Sequence, residues 1–221
     1  KTMPFADAVK IQQEFLEEAV AMDTLGSEEA REQFLQAAVR IAQVEIPDDL
    51  PSDDKKVTID AINNFVNSVR KDIDNSLPSH VEDVRMLSIY GMFYNGIADP
   101  VSAEKVLTMA HDLAPKKQLI SFDLIRSYLM QKKNAEAYAL SREVFDSARM
   151  YPDAAKWYLI SAAYAKSFRE ARTHVTEGGQ TVPFDSDVLS SVVNSGQIGL
   201  AIELLNEIKR DNPQLAPSVD A

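Results

Sequence analysis

Residues 84–115 read VRMLSIYGMFYNGIADPVSAEKVLTMAHDLAP. Tyr90 and Gly91 sit inside one apolar-periodic helix, and a turn follows at Asn95-Gly96-Ile97-Ala98-Asp99-Pro100. A second helix carries Ala103, Leu107 and Ala110 and ends at Pro115. The unit then recurs. Ala103 returns as Ala137 and Ala171, and Tyr90 as Leu124 and Tyr158, each 34 residues on. Paired helices at such a period predict an all-α fold, a solenoid of stacked helical hairpins, because one hairpin cannot bury both of its faces and needs a neighbour.

The small residues have a packing reason. Where antiparallel helices cross, a residue without a long side chain lets the backbones approach. Gly91 on the first helix and Ala103, Ala137, Ala171 and Ala201 on the second helices are expected in that role, with Tyr90 filling the space beside them.

These residues resemble the tetratricopeptide repeat. Leu87, Tyr90, Gly91, Tyr94, Ala103, Leu107, Ala110 and Pro115 match its motif in order, and Leu124, Tyr128, Ala137 and Val144 follow in a second unit that ends at a late Pro152. The chain departs at Ile125, where the motif prefers glycine, and at Ser141, where it prefers a large apolar residue. A third unit has Trp157, Tyr158, Tyr164 and Ala171. A fourth is degenerate in its first helix but keeps Ala201, Leu205, Ile208 and Pro213. The resemblance covers Val84 to Pro213 and implies a right-handed superhelix of about four hairpins over residues 79–214, preceded by capping helices over 1–78 and followed by a tail over 215–221.

Composition narrows the function. Lys and Arg number 23 against 34 Asp and Glu, a formal charge of −11, which argues against nucleic acid as the partner. The chain contains no cysteine, so disulfides, zinc–thiolate sites and thiol chemistry are excluded. No apolar run approaches the length of a membrane span. The opening Lys1-Thr2-Met3 reads as a cut within a longer protein, with any membrane segment left outside.

Taken in order, Phe5 to Met22 reads as an amphipathic helix with Ile11, Phe15, Ala19 and Met22 on one face. Ser27 caps a second helix whose face is Phe34, Ala38 and either Ile41 or Ala42. After a Pro- and Asp-rich loop over 46–54, a third helix runs from about Lys55 to Asn75 with Ile59, Ile62, Val66, Val69 and Ile73 as its stripe. That stripe is expected to cover the apolar end of the first hairpin. Ser79 and Glu82 fit a capping box, and Asp99 caps the next helix with Pro100 in its first position.

A second resemblance lies in the stretch 23–33, DTLGSEEAREQ, and in the junction 114–120, APKKQLI. Both are similar to the repeat-bearing carboxy-terminal domain of bacterial O-antigen ligase or polymerase-like membrane proteins. The resemblance implies a soluble extracytoplasmic part of a bacterial inner-membrane protein, with glycan transfer in a membrane part outside this sequence. Without it, a cytoplasmic repeat protein is implied.

Sites of chemistry are not legible. His80, His111 and His174 lie far apart, without ligand spacing, so neither metal nor cofactor is expected. The acidic pairs Glu17-Glu18, Asp48-Asp49 and Asp53-Asp54 read as solvated faces. Gly178-Gly179 has no following Lys-Ser/Thr to make a phosphate loop. The expectation is no catalytic residue and no enzyme activity for the chain alone. Binding is more legible. The resemblance puts the first helix of each hairpin on the concave face, which implicates Ser88, Met92 and Asn95, then Phe122, Arg126 and Leu129, then Lys156, Ile160 and Ala163, with Tyr164 in a shifted register. Residues 118–172 hold 9 basic against 6 acidic side chains, while residues 1–60 hold 6 against 14. A locally basic groove suits a protein or peptide segment with an acidic character, or an anionic glycan. The same bases facing outward as ordinary solvated charge remain the alternative.

Overall fold

The computed structural model describes residues 28–180 and 185–211, together with Glu14 and Glu18. All regular structure among them is helical, with no strand. The helices are α1 (Glu28–Ala42), α2 (Ser52–Ser76), α3 (Val84–Gly96), α4 (Pro100–Leu113), α5 (Gln118–Met130), α6 (Asn134–Ser147), α7 (Pro152–Tyr164), α8 (Phe168–Glu177), α9 (Ser186–Asn194) and α10 (Ile198–Asp211), with a single 3-10 turn at Leu77–Ser79. The helix expected over 5–22 lies outside the described residues, apart from the exposed helical positions Glu14 and Glu18. The tail over 215–221 lies outside them too. The chain divides into two compact units, residues 1–116 and 117–221.

In the first unit α3 is the centre. It packs on α4 and on α1, and buries Leu87, Ile89, Tyr90, Gly91, Phe93, Tyr94 and Asn95, leaving little of its circumference to solvent. Its start is fixed by Asp83, whose carboxylate accepts from the N–H groups of Arg85 and Met86 at 3.0 Å each. The expected capping box at Ser79 does not form. Leu77–Ser79 makes the 3-10 turn instead, and Ser79 Oγ turns back to donate to the Ser76 carbonyl at 2.7 Å. Asp99 does cap α4, accepting from Ser102 N–H at 3.2 Å with Pro100 in the first helical position.

The close approach expected at Gly91 is present. A Cβ there would stand 2.3 Å from Leu107 Cγ and Cδ2 on α4. Gly96 is similar, with Val39 of α1 2.6 Å from where its Cβ would be and Gln43 Nε2 donating to its carbonyl at 2.8 Å. The end of α2 also ties to this hairpin. Ser76 Oγ lies 2.8 Å from Tyr90 Oη, Tyr94 Oη donates to Asp74 at 3.3 Å, and Arg70 pairs with Asp99. The stripe expected on α2 is only partly used. Val69 and Ile73 are buried and Ile62 and Val66 half-buried, but Ile59 is 44% exposed.

The second unit holds three hairpins, α5/α6, α7/α8 and α9/α10, in which α5 packs on α7, α7 on α9, and α6 on α7. Since consecutive helices are antiparallel, α5, α7 and α9 run side by side in one direction. Ala137, Ala171 and Ala201 sit buried at the hairpin crossings, as Ala103 does in the first unit. Ser141 occupies its buried position by donating to the Tyr138 carbonyl at 3.0 Å.

All four hairpin turns share one backbone device that composition hides. A residue with positive φ stands after each first helix: Ala98 (57°), Lys132 (60°), Lys166 (63°) and Gly196 (80°). The next N–H then donates back across the helix end, Asp99 to Tyr94, Lys133 to Tyr128, Ser167 to Ala162 and Gln197 to Val192, at 2.8–3.1 Å. This is the Schellman type of helix ending, which normally uses glycine. Only Gly196 does so here. Ala98→Gly is therefore expected to stabilise the protein by about 0.5–1 kcal/mol, the left-handed penalty relieved minus the added chain entropy. Urea unfolding checks it, and a lower midpoint would contradict it.

Candidate groove on the second unit

The first helices of the three hairpins line a groove of about 740 Å³. Its α5 wall carries Arg126, Leu129 and Met130, and continues past the turn to Lys132 and Asn134. The middle is α7, with Asp153, Lys156, Trp157, Ile160 and Tyr164. The α9 wall adds Asp187, Ser191 and Asn194. The spacing on α7 follows from helical geometry. Positions 153, 156, 157, 160 and 164 fall at steps of three, one, three and four, so they share a face.

Five of the residues expected on a binding face meet here: Arg126, Leu129, Lys156 and Tyr164, with Ile160, only 7% exposed, as part of the floor. The others do not. Phe122 is 8% exposed and stacks beneath Trp157, with ring centroids 6.1 Å apart and planes at 18°. It supports the indole from below instead of offering its own face. Asn95 is 2% exposed and belongs to the core of the first unit. Met92 lines a separate hollow of about 330 Å³ between α1 and α3, with Leu35, Val39, Ile89 and Phe93.

The charge of the groove differs from the simple excess of bases in its sequence. Lys156 Nζ lies 2.5 Å from Asp187 and 2.9 Å from Asp185. Hydrogen bonds to Asp187 and then Asp185 hold the ammonium well above its ordinary range. Burial would raise the Asp185 carboxyl, but the Lys156 hydrogen bond and the Val188 N–H outweigh it and hold that group below its usual value. One ammonium is thus shared between two carboxylates, and with Asp153 nearby this corner is net negative. The sequence suggested Lys156 as a cation for a ligand; its partners come from the next hairpin, 29 and 31 residues on, where no local pattern announces them. Trp157 was missed as a lining group, as were Lys132, Asp153 and Asp187 among others. It is the chain's single tryptophan, and its place in the repeat motif reads as packing.

Asp123 lies one turn before Arg126 on α5. Burial pushes its carboxyl up to about 6, only partly opposed by Arg126. A carboxyl raised on folding stabilises the fold below its unfolded pKa, and that contribution is lost as pH rises from about 4 through about 6. Asp123→Asn is therefore expected to raise stability at neutral pH by up to about 2–3 kcal/mol and to change it little near pH 4. Thermal melts at the two pH values decide this; equal shifts at both would contradict it.

A polar chain runs from the exposed Asp146 into the core. His174 Nε2 lies 3.1 Å from Asp146, its Nδ1 lies 3.3 Å from Tyr158 Oη, and Tyr158 Oη lies 3.3 Å from Tyr138 Oη. Tyr158 is wholly buried, so this chain joins α6, α7 and α8 as a satisfied internal network. Among the described residues no group of three His, Cys, Asp or Glu could hold a metal ion, and no helix is long and apolar enough to cross a membrane. Compared with family models, curated proteins and solved structures, the chain matches none.

Proposed function

We propose that the chain is a non-catalytic scaffold of tetratricopeptide type that holds a protein or peptide segment in the groove of α5, α7 and α9. The observation that carries this reading is Trp157. An indole backed by Phe122, flanked by Leu129 and Ile160 and rimmed by Arg126, Lys132 and Asp153, gives apolar contact surrounded by polar groups, the composition of a protein-binding patch. The 34-residue recurrence and the shared left-handed turns support the repeat type.

Because Trp157 is the single tryptophan, its emission reports occupancy of the groove directly. Segments captured from the source organism are expected to shift that emission on titration. Arg126→Ala combined with Lys132→Ala is expected to weaken binding by about tenfold or more, since the charge-assisted contacts at the basic corner are lost. Capture that is unchanged by the double variant, with no change in emission, would remove the groove from the account.

The second reading is an accessory domain of a surface-polysaccharide membrane enzyme of the O-antigen ligase or polymerase-like kind, with an anionic glycan or an assembly partner as its ligand. The motifs at 23–33 and 114–120 favour it. It expects apolar spans encoded upstream of Lys1 in the native reading frame, and a frame without them would end it.

A further inference from the structure

The charges of the groove are sorted by position. Asp153 and Asp187 lie in the first turns of α7 and α9, at the edge where α5, α7 and α9 begin. There Lys156 is divided between Asp185 and Asp187. Arg126 lies in the second half of α5, and Lys132 follows that helix in its left-handed turn. Trp157 and Ile160 follow the acidic corner along α7, and Leu129 stands between Arg126 and Lys132 at the end of α5. The groove is a dipole with an apolar middle.

Resting on the groove reading above, we propose that its occupant is an extended peptide of mixed charge, in which one apolar side chain stands between a basic residue and an acidic residue. The basic residue faces Asp153 and Asp187, the apolar side chain lies on Trp157, and the acidic residue faces Arg126 and Lys132. Complementarity sets this choice. A uniformly acidic segment meets two carboxylates at one end, and a uniformly basic one meets two cations at the other. Like charges facing across an interface select against the wrong partner. Length is set too. Asp153 and Tyr164 are eleven residues apart on α7, about 16 Å along a helix axis, which an extended strand covers in about five residues.

The test uses the full chain and four synthetic peptides of about seven residues, with a central leucine and serine spacers. Two carry lysine and glutamate at opposite ends, in the two possible orders; one carries glutamate at both ends, and one lysine at both. Trp157 emission gives the affinities. One mixed-charge peptide is expected to bind about three- to tenfold more tightly than either uniform peptide. In Asp153→Lys with Asp187→Lys the glutamate peptide should become the best ligand, and in Arg126→Glu with Lys132→Glu the lysine peptide should. Circular dichroism confirms that the variants are folded. A uniform peptide binding best to the unaltered protein, or a ranking that both charge reversals leave in place, would overturn the mixed-charge assignment while leaving the groove as a binding site. No response of Trp157 to any of the four would remove both.

Discussion

Replacing Tyr158 by alanine is expected to cost the second unit about 3–5 kcal/mol, the range for removing a large aromatic side chain from a core. The ring is wholly buried. It stacks on Phe145 at 5.4 Å and on Tyr138 at 5.5 Å, and meets the edge of His174 at 5.7 Å. Its hydroxyl joins Tyr138 and His174, and burial, the largest cause, holds that hydroxyl protonated well above the usual phenol range. Deleting the side chain opens a cavity where three helices meet and leaves polar atoms of two neighbours without it. For a unit of this size the loss corresponds to a melting temperature lower by roughly 12–30 °C. Tyr158→Phe separates the contributions, because it keeps the stacking and loses only the hydroxyl, at about 1 kcal/mol. Melts followed by Trp157 emission, which sits one residue away on α7, give both numbers. Equal effects of the two substitutions would mean that the hydrogen-bond chain, and not packing, carries the contribution of this residue.

The second large effect is expected at Gly91. A helical glycine on a surface gains about 0.5–1 kcal/mol on conversion to alanine. Here the new methyl would stand 2.3 Å from the branch point of Leu107, too close for a rotamer change at the tip of that side chain to relieve. Gly91→Ala is expected to destabilise by about 1–3 kcal/mol despite the gain in helix propensity, and Gly91→Val by more, because its second branch also enters a filled space. The interaction is checked by a double-mutant cycle with Leu107→Ala. The pair should cost clearly less than the sum of the single changes, since the space vacated on α4 receives the added methyl. A Gly91→Ala protein that melts higher than the parent would show that α3 and α4 do not need this close approach.

Residues 84–115 made the helical hairpin readable because three independent signals agree there: an apolar period of 3.6, small residues at the crossing, and Asp99-Pro100 at the second start. Where signals competed, the reading was poorer. Ser79 and Glu82 have capping-box spacing, yet Asp83 caps α3, because Leu77-Pro78-Ser79 closes a 3-10 turn that draws the Ser79 hydroxyl backward. The turn geometry at Ala98, Lys132 and Lys166 was invisible, since none of these residue types announces a left-handed backbone. For the groove, the resemblance to the tetratricopeptide repeat implied a shared face for Arg126, Leu129, Lys156 and Ile160, with Tyr164 in a shifted register, and the structure gathers them along one surface. It could not show that Phe122 lies beneath an indole, that Asn95 turns into a core, or that Lys156 meets two carboxylates from another hairpin. Those are facts of tertiary contact, fixed by side chains far apart in the chain.

The 25 residues of α2 are continuous in geometry but not in the forces that hold them. Near one end Val69 and Ile73 are locked into the core, while toward the other Val57 is 69% exposed and Ile59 44%. An isolated helical stretch shorter than about 12–15 residues is marginal in water. The amides of the buried end are therefore expected to exchange only when the whole unit opens, and those near Asp54 to Asp60 by local fraying and several orders of magnitude sooner, which hydrogen exchange would measure. One rod-like element spans most of the range of local stabilities that a folded protein offers.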